Sequence, residues 1–550
     1  MPIPHGDGRL ILTPLGGVGV IGMNNMLLGY GDDLLLLDCG VLFADHMQPG
    51  ADLVLPSLTL LDRLADRLRA IVLTHGHEDH IGAVPYVASR LDLPVYGTKF
   101  TLALLEEKAR HRGVGDLELH EIAPGDTIHF GKVSISPLRV THSLPDCVSL
   151  AIRTPAGNVL FTGDWKRDDG LPDGTRFDEA GFRAFGDEGV LAMLSDSTNA
   201  EVRGHTVSEA TVADGLRQAI AEAKGRVFVG LFSSNLYRVH AVVKAAAAAG
   251  RKVALIGRSI FRYLDACDVW GGLQLPDGVL IDAKRVDQYE DHELVLVCTG
   301  SQGEPRAALP RIARGDHPKI KTRKGDTLLM SSRKIPGNEK AIHAMLDAFA
   351  KAGVRVVHRS DNYTIHASGH AAEDELRWLL GLVRPRYFLP VHGVYTFLDR
   401  HAALARDVGA EVPLLMTNGD VIELDAEGPQ KIGEIEAEPW LLDGRQLGTA
   451  ASLGVHDRYE MGQFGVVAVT AIFGRGPLQL TADARGVWTD DGRLLRELEA
   501  ELQPWLTRML AGGLGRESVQ EELRQYVRRY FRRALDRKPV VIAQLLELDK

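Results

Sequence analysis

The sequence predicts an α/β protein in which one domain interrupts another and a small α+β domain follows. Three observations carry this expectation. In the first 200 residues, apolar β-prone runs end repeatedly in an acid or a histidine. The stretch 206–355 alternates short strand-like runs with helical segments, the pattern of a parallel sheet. One more run of the first kind, ending at His392, lies well beyond that stretch. Loops at strand ends carry chemistry while the strands stay rigid. The strand ends are therefore expected to converge, and 206–355 to be an insertion.

The elements follow in order. Leu34 to Leu37 ends at Asp38, Ala70 to Thr74 at His75, and Ile135 to Thr141 at His142. Asn158 to Thr162 leads to Asp164, Leu191 to Leu194 leads to Asp196, and Tyr387 to Val391 ends at His392. Gly17 to Gly22 matches the G-x-G-x-x-G pattern. However, Met26 to Leu37 is two apolar runs around Gly29, Gly31, Asp32 and Asp33, which predicts a hairpin. A dinucleotide site needs a helix there, so the glycines read as a tight turn.

In the middle stretch, Arg226 to Leu231, Lys252 to Ile256, Glu293 to Cys298 and Thr327 to Met330 are expected strands, and Val239 to Ala249 an expected helix. The junctions hold Ser233, Ser234, Asn235, Ser301, Ser331, Gly337 and Asn338, small polar residues that suit phosphate oxygens. Residues 356–425 return to the first domain, and 426–455 read as a linker. In 456–550, Val466 to Phe473 and Leu478 to Trp488 resemble a strand pair, and Leu494 to Leu510 and Ser518 to Leu535 two helices. Arg528, Arg529, Arg532, Arg533 and Arg537 make the second helix basic, either a solvated or subunit-contact face or an RNA contact.

At 550 residues, three or four domains of roughly 150 residues are expected. A net charge of −10 argues against coating nucleic acid non-specifically, although local phosphate binding remains open. Cys39, Cys147, Cys267 and Cys298 lie in or beside apolar segments and read as buried free thiols of a cytoplasmic protein. The N-terminus lacks the features of a signal peptide. No apolar run approaches the roughly 18 residues of a membrane helix.

The densest chemistry is His75-Gly-His-Glu-Asp-His80. His75, His77, Asp79 and His80 offer imidazole and carboxylate donors that suit zinc or manganese, and four donors in six residues suggest two ions. Asp164 has two oxygens and can bridge two metals, whereas Asp38 suits orienting a histidine through its ring N–H. His142 alone would be a weak indication. The stretch Asp361 to His370 carries His366, Ser368 and His370, either a proton donor to a leaving oxygen or a loop capping the next helix.

These residues resemble a known family. Thr74 to Gly82, Thr141-His-Ser143, Thr162 to Lys166, Ser195 to Asn199, His366-Ala-Ser-Gly-His370 and Pro390-Val-His-Gly393 are similar to the motifs of metallo-β-lactamase-fold nucleases with a β-CASP insert, of the ribonuclease J type. Phe232 to Asn235, Gly300 to Glu304 and Ile335 to Glu339 share the resemblance, which runs to about residue 425. It implies an αββα sandwich (1–205 and 356–425) interrupted by the insert. It also implies two zinc ions, with manganese as the alternative. His75, His77, His142 and Asp164 would hold one, and Asp79, His80, Asp164 and His392 the other. His370, Asp196 and Asp79 would be catalytic. Ser233, Ser234, Asn235, Ser301, Gly337, Asn338, His366, Ser368 and Gly369 would face the substrate.

The implied activity is 5′→3′ exonucleolytic cleavage of single-stranded RNA with a 5′ monophosphate, with some endonuclease activity, in RNA maturation and mRNA decay. The implied assembly is a homodimer or homotetramer through the C-terminal region. Two positions depart from the family, Val20 and Val394, where glutamate is usual. A DNA-directed relative, a small-molecule hydrolase of the same core fold and a non-catalytic RNA-binding subunit are the competing readings.

Overall fold

The structure is a computed structural model. It describes Ile3 and residues 8–548 except Pro336, 359–362, Arg475 and Gly513. Pro336, Asp361 and Asn362 of the motifs above therefore lie outside the described residues, as does most of the N-terminal segment. The chain divides into two compact units, Met1–Leu42 with Leu55–Glu438, and Phe43–Val54 with Pro439–Lys550.

The first unit contains two sheets packed face to face. One has eight strands in the order Gly428–Glu434, Asp420–Asp425, Leu10–Gly16, Asn25–Tyr30, Asp33–Leu37, Leu68–Val72, Val95–Gly97 and Leu119–Glu121. The other has six, Tyr387–Val391, Ala192–Asp196, Gly157–Phe161, Val148–Thr154, Val133–Arg139 and Ile128–Phe130. Leu12, Leu28, Leu37 and Val72 of one sheet share a single buried core with Ile135, Leu150, Phe161, Leu194 and Leu389 of the other. The central strands bury both faces because helices cover the outer sides. Leu58–Leu64, Val84–Leu91 and Lys99–Arg112 lie with the first sheet, and Tyr395–Asp407 packs on Tyr387–Val391 of the second. This is the expected αββα arrangement.

Met26 to Leu37 is the expected hairpin, with Asn25–Tyr30 antiparallel to Asp33–Leu37. The glycines before it make a turn, with positive φ at Gly17, Gly19 and Gly22. Tyr387–Val391 pairs in parallel with Ala192–Asp196, so a strand from beyond the insert completes the second sheet.

Between those strands the chain builds a third, parallel sheet. Its order is Leu280–Ile281, Lys252–Ile256, Leu294–Cys298, Val227–Gly230, Thr327–Met330 and Arg355–Val357. It has its own cores on both faces, one including Leu216, Val229, Val243 and Val297, the other Phe228, Leu296, Ile312 and Phe349. All four cysteines are free and buried.

Residues 426–455, expected as a linker, carry regular structure. Gly428–Glu434 pairs with Asp420–Asp425 and extends the first sheet. Gly428, Pro429 and the mixed polarity of Gln430, Lys431 and Glu434 hid this strand, in which the proline is tolerated because it is a sheet edge. Trp440–Asp443 and Gln446–Gly448 form an antiparallel pair in the second unit.

The second unit ends in a three-stranded sheet, Gln479–Arg485, Val466–Phe473 and Val540–Glu547. Helices Arg493–Ala511 and Arg516–Leu535 lay Leu498, Leu502, Leu523, Val527 and Phe531 on it. The last strand, parallel to Val466–Phe473, was not expected. Phe531 is fully buried in this core. Phe531→Ala is expected to cost about 3–5 kcal/mol. The check is amide hydrogen exchange of Val540–Glu547, which should accelerate at least tenfold or so.

Candidate metal centre

Four strand ends of the first unit, those of Leu68–Val72, Val133–Arg139, Gly157–Phe161 and Tyr387–Val391, deliver the ligand candidates to one place. Leu68–Val72 leads through Thr74 to His75, and the short helix Glu78–Ile81 that follows carries Asp79 and His80. Asp38 and His392 leave their strands with φ of 59° and 52°, a left-handed conformation that costs a non-glycine residue about 1 kcal/mol or more. The surrounding core holds both of them there.

Two sets of donors form around Asp164. In the first, His75 Nε2 and His142 Nε2 lie 3.0 and 3.1 Å from His77 Nδ1, and Asp164 Oδ2 is 3.7 Å and 3.8 Å from the two Nε2 atoms. In the second, His80 Nε2 is 3.3 Å from Asp164 Oδ1 and 3.7 Å from Asp79 Oδ2, and His392 Nε2 is 3.4 Å from Asp79 Oδ2. Ligand atoms around a tetrahedral ion with bonds of about 2.05 Å stand roughly 3.3 Å apart. Both sets bracket that spacing, and in each the donor atoms lie within 4.8 Å of one another. A cavity of about 20 Å³ opens beside His80, Asp164 and His392.

The outer ring nitrogens are already committed, which turns the inner ones toward the centre. His142 Nδ1–H donates to Gly369 O at 2.6 Å, His80 Nδ1 meets Asp38 Oδ2 at 2.7 Å, and His75 Nδ1 lies 3.0 Å from Thr74 Oγ1. Asp38 also accepts from Thr74 N and Oγ1 and holds the loop. Gly369 must be glycine for its carbonyl to approach this closely, since a Cβ there would stand 2.7 Å from His142 Cε1. Such partners are what orient metal-binding histidines. The residues present therefore fit a pair of ions.

The two sets differ in protonation. Burial, aided by neighbouring imidazoles, holds His75 and His142 well below the usual histidine range, and burial holds His77 at about 4. For His80, burial opposes the charge, but Asp164, Asp38 and Asp79 outweigh it and raise the ring well above the usual range. Against the same burial, Asp164, Asp79 and Asp196 push His392 up to about 10.

At pH 7 the three histidines of the first set are unprotonated and can accept an ion without losing protons. His80 and His392 must each release one. Any ion taken up by the second set is therefore expected to bind more tightly as pH rises toward about 10, by up to tenfold per pH unit for each proton released. Calorimetric titration in buffers of different ionisation enthalpy checks this, since equal heats in every buffer would contradict it.

Next to these sets, His370 Nδ1 lies 2.7 Å from Asp196 Oδ2 and 3.8 Å from Asp164 Oδ2. Burial works against its charge, but Asp196 and Asp164 raise it above the usual range. Thr198 N and Oγ1 hold the other oxygen of Asp196. The loop before His370 places His366 and Ser368 half-buried.

Not every expected substrate residue has free groups. Asn235 spends Oδ1 capping helix Leu236–Ala248 and its N–H on Phe232 O. Ser301 is buried, and its neighbour Gln302 ties Arg333 and Ile335 together. Ser233, Ser234 and Asn338 are half-buried and Gly337 is exposed. The two departures, Val20 and Val394, both flank Gly393. Val20 bridges to it, and Val394 begins helix Tyr395–Asp407 without a side-chain cap.

Sequence reasoning missed a buried set behind this loop. It comprises Asn199, Lys166, Asp168, Glu209 and Arg238. Asn199 and Lys166 fall inside motifs named above, but nothing local marked Asp168, Glu209 or Arg238.

Four family descriptions match along the chain. They are "Metallo-beta-lactamase superfamily" over residues 18–216, "Ribonuclease J, beta-CASP domain" over 224–349, "Zn-dependent metallo-hydrolase RNA specificity domain" over 353–415 and "Ribonuclease J C-terminal domain" over 453–548. The chain is 38% identical to Ribonuclease J of Mycobacterium tuberculosis, covering 100% of this chain and 99% of that one. It is 34% identical to Ribonuclease J 1 of Streptococcus pyogenes, covering 98% and 97%, and 35% identical to Ribonuclease J of Thermus thermophilus, covering 98% and 95%. A crystal structure of a protein of unknown function from Enterococcus faecalis shares the fold, with a TM-score of 0.53 and 16% identity over 76% of this chain and 100% of that one. Matched from end to end by such relatives, with the insert and the C-terminal domain included, the chain belongs to the ribonuclease J family.

Proposed function

We propose that the protein is a ribonuclease that cleaves single-stranded RNA with two divalent ions, zinc in preference to manganese. The observation that carries this reading is the pair of donor sets joined by Asp164, with His370 and Asp196 beside them. His75, His77, His142 and Asp164 would hold one ion, and Asp79, His80, Asp164 and His392 the other. When bound, such a pair supplies a nucleophile from water at neutral pH and neutralises phosphate charge.

The remaining work falls to side chains. His370 keeps a proton through Asp196 and delivers it to the leaving 3′ oxygen. Asp79, on the first turn of its helix, helps close the second set. His366 and Ser368, with Gly369 N–H, offer donors to a substrate phosphate. Ser233, Ser234, Ser301, Gly337 and Asn338, together with the Nδ2 donors of Asn235, supply small polar contacts along the insert. A pocket of donors that accommodates one terminal phosphate and excludes three gives 5′→3′ exonuclease action on 5′-monophosphate RNA, with internal cleavage as the minor activity. The surroundings proposed are the cytoplasm, in RNA maturation and mRNA decay. The assembly proposed is a homodimer or homotetramer through the C-terminal region. Among the described residues no helix is long and apolar enough to cross a membrane.

The test is digestion of end-labelled RNA carrying a 5′ monophosphate or triphosphate, with matched DNA, with and without chelator. The expected result is mononucleotide release from the monophosphate RNA alone, abolished by chelator. Preference for DNA, or chelator-resistant cleavage, would overturn the reading.

A further inference from the structure

His366 and Ser368 are held by groups that leave each of them one way to hydrogen-bond. Arg238 is 1% exposed and has only donors. Its Nε and Nη2 pair with Glu209 at 3.0 and 2.7 Å, and its Nη1 reaches Ser331 O and Oγ at 3.0 Å. The same Nη1 lies 3.2 Å from His366 Nδ1. A guanidinium cannot accept, so Nδ1 must present its lone pair. The ring is neutral, since burial and then the Arg238 charge hold it down at about 3. A neutral ring with a bare Nδ1 carries its hydrogen on Nε2, and that atom is buried with no partner among the described residues.

Ser368 is constrained by the same logic. Asn199 Oδ1 accepts from Arg333 Nη1 at 2.6 Å, and Asn199 Nδ2 donates to His370 O at 2.9 Å. A guanidinium on one side and a carbonyl on the other fix which end of the amide is which. Asn199 Nδ2 also donates to Ser368 Oγ at 2.8 Å, and His370 N donates to the same oxygen at 3.3 Å. With both lone pairs of Oγ engaged, the Ser368 hydroxyl hydrogen must point away from them.

We infer that Arg238 and Asn199 are positioning residues that set hydrogen-bond direction in the 366–370 segment, so that His366 and Ser368 meet a substrate phosphate only as donors. This rests on the nuclease reading above. Arg238 and Arg333 both belong to the insert, so the insert's guanidinium groups polarise a loop of the metal-bearing domain. An acceptor-only group, a phosphate oxygen, matches two fixed donors. A 5′ hydroxyl, which needs an acceptor for its own hydrogen, matches them less well.

The readout is the ratio of kcat/KM on a 5′-monophosphate RNA to that on the same RNA with a 5′ hydroxyl. Ser368→Ala and Asn199→Ala are each expected to lower the ratio about tenfold, the scale of one hydrogen bond to a charged group. The double variant is expected to be no worse than the poorer single one, because Asn199 acts through Ser368. An Asn199→Ala effect of full size in the Ser368→Ala background would overturn the inference.

Arg238 is too buried to rely on a variant that folds, so its arm is read on the wild-type enzyme. The side-chain ¹⁵N spectrum, assigned by the signals lost in His366→Gln, is expected to show His366 neutral with a bare Nδ1 and a protonated Nε2 at pH 7. The other tautomer, or an imidazolium, would overturn it. A wild-type enzyme without chelator-sensitive cleavage would sink the nuclease reading instead, and the spectrum would then decide the Arg238 arm alone.

Discussion

Asp164→Ala is expected to abolish turnover, with kcat falling roughly 1,000-fold or more, since losing even an outer partner of a metal ligand costs about 10–100-fold. The reason lies in the two oxygens. Oδ2 faces His75 and His142, while Oδ1 faces His80 and His392, the last at 2.6 Å. One substitution therefore opens both donor sets. It also removes the carboxylate that raises His80, His392 and His370. Metal content per chain, measured on the purified variant, is expected to fall with activity. Near-normal RNA degradation by the variant, with contaminating nuclease excluded, would sink the shared-ligand assignment. So would full metal content together with lost activity.

The second large effect concerns the proton. His370→Ala is expected to lower kcat by about 10²–10⁴-fold, the usual contribution of a general acid. The sign of its pH dependence follows from the carboxylates. Burial disfavours the charged ring, but Asp196 and Asp164 raise it above the ordinary value, so the ring holds its proton to higher pH than a free histidine does. Activity that needs this proton is complete below the raised value and falls as pH rises through it. Asp196→Asn removes one raising charge and keeps the shape. The alkaline limb of the kcat profile is then expected to move to lower pH. An unmoved limb would show that another group sets it.

Legibility in the sequence tracked how local each signal was. The proposed metal ligands were legible because four donors fall within the six residues from His75 to His80 and because strand ends announced His142, Asp164 and His392. The insert was legible through its alternation of apolar runs and helices, since a parallel sheet buried on both faces needs near-continuous apolar strands. Gly428–Glu434 was not legible, because its glycine, proline and mixed polarity give no strand period. It becomes a strand only because Asp420–Asp425 offers an edge. Val540–Glu547 alternates in burial, but only its parallel pairing with Val466–Phe473 gives it a place.

The sequence by itself determined the ligand types, the insertion and the hairpin that excludes a dinucleotide site. Those depend on residue chemistry and on periods a few residues long. Tertiary structure alone decided which nitrogen of each histidine faces the centre, because that follows from partners such as Gly369 for His142 and Asp38 for His80. It likewise decided that His366 and Ser368 are donors, since Arg238 and Asn199 lie 128 and 169 residues from them in the chain. The direction of a hydrogen bond belongs to a pair of groups, and chain folding alone brings such distant pairs together.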